Sequence, residues 1–169
     1  MKKMFCLALV AVALVTSLGL GFVADSSLAS AQAADADATQ AIGRGELTAQ
    51  GDGIAILGGR GIVDVSGNGI LWVKDLAGNA VIEVTGYGEK REFEDGWVQY
   101  SGFRGSAHIK GGRIIVVIAG VDVELHAIGR GRAILWGHGS YELNGQTGEW
   151  NQNFGARMRL AGSNVSTGE

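Results

Sequence analysis

Residues 43–74 read GRGELTAQ-GDGIAILG-GRGIVDVS-GNGILWVK, four octads in unbroken succession. In each, Gly-x-Gly precedes five residues of which the second and fourth are apolar. The beat returns as GRGRAILW (129–136) and GHGSYELN (137–144). Alternation between glycine turns is the signature of short β-strands joined tightly. The chain is therefore expected to be all-β and repetitive.

The even repeat length constrains the register. The recurring apolar residues, Leu47/Ala49, Ala55/Leu57, Val63/Val65 and Leu71/Val73, are all odd-numbered, as are the later Ala133/Leu135 and Tyr141/Leu143. Residues opposed across an antiparallel ladder point to the same side. Odd must then face odd, which three-residue Gly-x-Gly loops achieve: Val65 opposite Leu71, Val63 opposite Val73. A two-residue Asn68-Gly69 turn would swap the faces. The expectation is an antiparallel meander of about twelve short strands, closing as a flattened barrel or sandwich. The even face is also apolar in part, with Ile54, Ile56, Ile62, Ile70, Trp72, Ile134 and Trp136. A sheet apolar on both faces is normally covered on both, so self-association through the Ile/Trp face is expected.

Inserts break the beat at residues 75–77 and 94–96, with the octads GNAVIEVT (78–85) and the polar GYGEKREF (86–93) between them. The chain has 29 glycines and no proline. Ordinary usage would include proline at about 5%, and proline cannot donate to a ladder. Its absence suits a chain laddered nearly throughout.

Lys2 and Lys3 precede an apolar run to Val23, followed by Ala29-Ser30-Ala31 and Ala31-Gln32-Ala33. This is the pattern of a secretory signal peptide over residues 1–31; an uncleaved anchor would be the one membrane contact. Residues 32–41 read as a flexible linker, 42–148 as the β-repeat domain and 149–169 as a frayed polar tail bearing an Asn164-Val165-Ser166 sequon. Cys6, the single cysteine, lies in the leader, so no disulfide is expected. Cleavage before Gln32 removes Lys2, Lys3 and Asp25, leaving 12 basic against 16 acidic residues, net −4. That balance argues against nucleic acid as a partner.

The Gly-x-Gly turns at 43–45, 51–53, 59–61, 67–69, 129–131 and 137–139 resemble repeats of bacterial surface β-helix proteins of the adhesin-head type. The resemblance covers those turns and carries no site across. It implies a parallel β-solenoid, with several octads per coil, as the rival fold.

Two constellations could carry function. Trp72 and Trp136 occupy the same octad position in identical Ile-Leu-Trp triplets. In the hairpin register Trp72 faces Asp64 and Trp136 faces Glu124, two aromatic–acid pairs suited to a carbohydrate; the alternative is plain packing. Asp122, Glu124 and His126 alternate along one strand, with His138 expected opposite Asp122. Imidazole with carboxylate could take a divalent metal, although a polar strand face alternates in the same way. At the turns, Arg44 and Arg60 are expected to lie together, opposite Asp52 and Asn68. No catalytic triad, nucleotide-binding motif or calcium repeat is present, and no cofactor is expected. The reading is an exported, non-enzymatic β-repeat protein with a structural or adhesive role at the cell surface. Its alternatives are a carbohydrate-binding module and a metal-dependent hydrolase.

Overall fold

The computed structural model describes residues 43–162; the signal segment, the linker and the Asn164 sequon lie outside the described residues. All regular structure is β, in one antiparallel sheet. The strands are β1 (Gly45–Asp75), β2 (Val81–Val84), β3 (Glu89–Glu92), β4 (Trp97–Leu143), β5 (Gln146–Glu149) and β6 (Ala156–Leu160). The sheet is not closed: β2, β3, β5 and β6 each pair with β4.

The octads do not end in hairpins. β1 and β4 run straight through their Gly-x-Gly triplets, so the expected pairs Val65–Leu71 and Val63–Val73 do not form. Val65 instead pairs with Ala107 and Leu125, and Leu71 with Tyr100 and Ile118. The pairing is also antiparallel throughout, unlike the parallel ladder of a β-solenoid.

The pairings reveal a winding. Ala127 sits between Leu47 and Val63, sixteen residues apart along β1. Sixteen extended residues cover about 53 Å, whereas two ladder steps cover about 10 Å. The strand must make one full turn in that interval, and each octad is half a turn. β1 and β4 thus coil together as an antiparallel ribbon. One wall runs, strand beside strand, through Gln146, Leu143, Leu47, Ala127, Val63, Ile109 and Ile82. The other runs through Ala156, Leu135, Ala55, Ile118, Leu71, Tyr100 and Lys90.

Odd parity survives because every β1 octad turns the same face inward. Leu47, Ala55, Leu71, Val73, Ile109, Val116, Ile118 and Leu135 are fully buried between the walls. The corners need glycine where two strands cross. Gly53 (φ +144°) pairs with Gly137 (φ +130°). A Cβ on Gly53 would meet the Trp136 carbonyl, and one on Gly137 the Asp52 carbonyl.

β4 has a beat that β1 lacks. Its inward pairs, Val98/Tyr100, Ala107/Ile109, Val116/Ile118 and Leu125/Ala127, recur every nine residues, then every eight to Ala133/Leu135 and Tyr141/Leu143. The ninth residue is a bulge, which adds one residue to one strand of a pair. Asp122 (φ +53°) and Gly102 (φ +62°) take left-handed conformations at two of these bulges.

True turns lie elsewhere. Asp75 ends β1: its carboxylate accepts the amides of Ala77 (2.9 Å) and Ala80 (2.7 Å). The Ala80 amide, foremost, holds that carboxyl below the usual range, against a smaller opposing effect of desolvation. The Phe93 amide donates to the Trp97 carbonyl (2.8 Å) to close the β3–β4 hairpin. Asn144 (φ +51°) and Gly145 (φ +81°) form a two-residue turn that pairs Leu143 with Gln146, the pair of positive φ values that tight hairpins favour. The segment expected to fray is built in: β6 pairs with residues 131–135 of β4, and Trp150 and Leu160 are buried.

Candidate functional site

Winding by half-turns sorts the outward side chains by octad. Glu46, Thr48 and Gln50 face out from one wall, Ile54 and Ile56 from the other. Asp64 and Ser66 then join the first, and Ile70 and Trp72 the second. The second surface is mainly apolar and the first mainly polar, except that Ile62, expected on the Ile/Trp face, lies on the first in a row with Ile128, Lys110 and Val81.

The apolar wall carries two continuous cross-strand rows. One runs Arg157, Ile134, Ile56, Val117, Trp72, Gln99 and Arg91; the other runs Trp136, Ile54, Ala119 and Ile70. Ile54 and Ile70 are 39% and 38% exposed, high for aliphatics in the middle of a sheet. Two lips frame the wall. At one, Phe93 stacks on Trp72 with ring centroids 5.3 Å apart, and Trp97 meets the same ring edge-on at 6.1 Å. At the other, the β5–β6 loop brings Gly155 against Ile134 and Trp136, with Phe154 75% exposed beside it.

Trp72 and Trp136 therefore share the apolar wall, but the expected acid partners do not. Trp72 lies across from Gln99 and Val117, and Trp136 across from Ile54. Asp64 and Glu124 belong to the polar wall, because the chain passes a corner between each acid and its tryptophan. The aromatic–acid pairs do not form.

The polar wall also has rows. Thr147, Glu142, Thr48, His126, Asp64, His108 and Glu83 follow one another across the strands; beside them run Glu149, Ser140, Gln50, Glu124, Ser66 and Ser106. His108 Nδ1 lies 2.6 Å from Asp64 Oδ1, and His126 Nε2 lies 2.8 Å from Glu46 Oε1. The proposed metal set is divided among these neighbours. His138 lies across from Asp52, not Asp122. Asp122 accepts from Asn68 Nδ2 (3.1 Å), and its amide donates to Asp52 Oδ1 (2.8 Å). Glu124 accepts from Ser66 (3.4 Å). Asp122, Glu124 and His138 border one shallow groove, with His126 outside it. Among the described residues, no group of three or more His, Cys, Asp or Glu is arranged to hold a metal ion.

The corners form two edges of different charge. Asp52, Asn68, Asp122 and His138 gather on one, with Arg104 across from Asn68. Arg60 lies directly across from Arg130 on the other. The grouping of Arg44 with Arg60 arises from full turns of the coil, not from alternate hairpins. The Ile/Trp face and the Arg44–Arg60 grouping are legible in the sequence; the two lips and the places of Arg130 and Arg113 on the basic edge are not. The pattern of outward residues by octad carried the signal for the wall.

No protein-family model, curated protein or solved structure matches this chain. What it can do is read from its own surfaces: an all-β body of one antiparallel sheet, with an uncovered apolar wall.

Proposed function

We propose that this is an exported, non-enzymatic β-repeat protein with a structural or adhesive role, whose copies associate through the apolar wall. The wound sheet is read as a flattened, sandwich-like body that presents this wall as a contact face. The observation that carries the reading is the pair of unbroken Ile/Trp rows, with Ile54 and Ile70 exposed.

The occupant is a second copy. One end of the wall carries Arg157 and Arg159, neither in an ion pair among the described residues. The opposite lip carries Arg91 and Glu94, beside Asp95 and Glu92, which pair with Lys74 and Lys90. A twofold axis lying in the interface, parallel to the strands, sets each basic end over the partner's opposite lip, where Glu94 and the Phe93 and Trp97 rings stand. The wall with its lips measures about 25 Å by about 15 Å from strand and ladder spacings. Two copies would bury roughly 800 Å² in total, below the roughly 1,200 Å² of stable specific interfaces and in the range of transient ones. Association is then weak and concentration-dependent, the kind that strengthens in arrays by multivalency.

Sedimentation equilibrium of the mature chain over a wide concentration range tests this. The expectation is reversible dimerisation, abolished in Ile54→Asp/Ile70→Asp and weakened in Arg157→Glu, with unchanged circular dichroism. A strict monomer at millimolar concentration would overturn it. Neither alternative gains support: the carbohydrate reading lost its aromatic–acid pairs, and the metal reading lost its four-residue set.

A further inference from the structure

We propose that the basic edge of the coil is a binding site for a linear acidic polysaccharide, with one arginine on each rung. Gly45 pairs with Gly129, and Arg130 Nε donates to the Gly43 carbonyl, which brackets Arg44 beside Arg130. Arg130 lies directly across from Arg60. Gly59 pairs with Ile114 and Gly61 with Gly111, which brackets Arg113 beside Arg60. The order along the edge is Arg44, Arg130, Arg60, Arg113, each about one ladder step, ~4.8 Å, from the next. All four are exposed.

Like charges set directly opposite on neighbouring strands are destabilising, and no carboxylate relieves these. Among the described residues none of the four is in a salt bridge. Two acids at the ends of the flanking strand segments are already engaged: Glu46 with His126, and Asp75 with the amides of Ala77 and Ala80. An external anion would relieve the repulsion, and guanidinium is the group best shaped to grip carboxylate or sulfate through two hydrogen bonds.

The shape selects a single chain. Arg44, Arg60 and Arg130 each stand between two glycines, so bare backbone lies on both sides of the row. A polymer with one acidic group per sugar ring can lie along such a row and meet successive guanidinia. A membrane presents its charge over a plane, and duplex nucleic acid over two strands around a cylinder; neither fits a row one residue wide on an acidic protein.

The test is titration of the mature chain with polygalacturonate at low salt. Neutral dextran, single-stranded DNA and phosphatidylglycerol vesicles serve as comparisons. Binding to polygalacturonate should weaken as salt is raised. Arg44→Gln/Arg60→Gln should weaken it about tenfold, and Arg104→Gln, on the opposite edge, by less than about twofold. No polygalacturonate binding, equal binding by the double variant, or tighter binding of DNA or vesicles would each overturn the proposal. The apolar-wall variants should leave this binding intact, which separates it from self-association.

Discussion

Alanine at two glycines of β1, five residues apart, should have opposite consequences. Gly53 sits at a corner with φ +144°, a region closed in practice to residues with a Cβ, where each such placement costs about 1–3 kcal/mol. Its new methyl would also run into the Trp136 carbonyl and come within 2.9 Å of Gly137 Cα. Backbone would have to yield on both strands. A total of about 3 kcal/mol is a large part of the roughly 5–15 kcal/mol that holds a domain folded. At about 4 °C per kcal/mol for a chain of this size, Gly53→Ala should lower the melting temperature by about 12 °C. Gly58 is paired on both sides, yet a Cβ there meets nothing within 4 Å. Gly58→Ala should be neutral or stabilise by about 0.5 kcal/mol, through lower freedom of the unfolded chain. Urea unfolding and thermal melts followed by circular dichroism measure both. Equal effects, or a Gly53→Ala variant within about 0.5 kcal/mol of the parent, would refute the crossed-strand corner.

Leu71 is fully buried between Tyr100 and Ile118, so Leu71→Ala should cost about 2–5 kcal/mol in the same urea assay. Asp75 has a folded-state pKa below its unfolded value. Its stabilisation is therefore complete above the ordinary aspartate range, near pH 3.9, and is lost as pH falls through the folded value. Asp75→Asn should be less stable than the parent at neutral pH, and the gap should close in acid, as read from melts between about pH 2 and pH 7.

Alternation made the inward residues legible. Leu47 through Val73 are odd-numbered and buried, as period-two patterning requires. What alternation could not decide is where each octad finds its partner. A hairpin register and a wound ribbon both keep odd residues together, since both preserve parity. The deciding marks were present but read singly. Outward residues switch from Glu46/Thr48/Gln50 to Ile54/Ile56 and back, a sixteen-residue period that a meander does not need. In β4 the apparent loss of rhythm between Val98 and Leu125 is a nine-residue repeat with bulges. The dipeptide that makes a two-residue hairpin is Asn144-Gly145, while Asn68-Gly69 passes through a corner still extended. The Trp–acid and metal sets failed for one reason: each assumed neighbouring octads to be neighbouring strands. The arginine row joins residues from distant stretches, so scanning the sequence for a basic run could not find it.

The shared winding of β1 and β4 also orders events in time. Among the described residues β1 pairs with no strand but β4, whose first residue follows Asp75 by more than twenty positions. Residues 45–75 therefore have no ladder partner in a chain that ends before Trp97. The shortest closure is at Lys74 and Trp97, beside the Asp75 turn and the Phe93–Trp97 hairpin, and the longest joins Leu47 to Leu143. Loop-closure entropy favours the first over the last, so the ribbon winds from the middle of the chain outward. Such non-local pairing is slow, and an unpaired apolar strand is a template for aggregation meanwhile. Until β4 is present, the inward residues of β1 have no ladder partner to bury them.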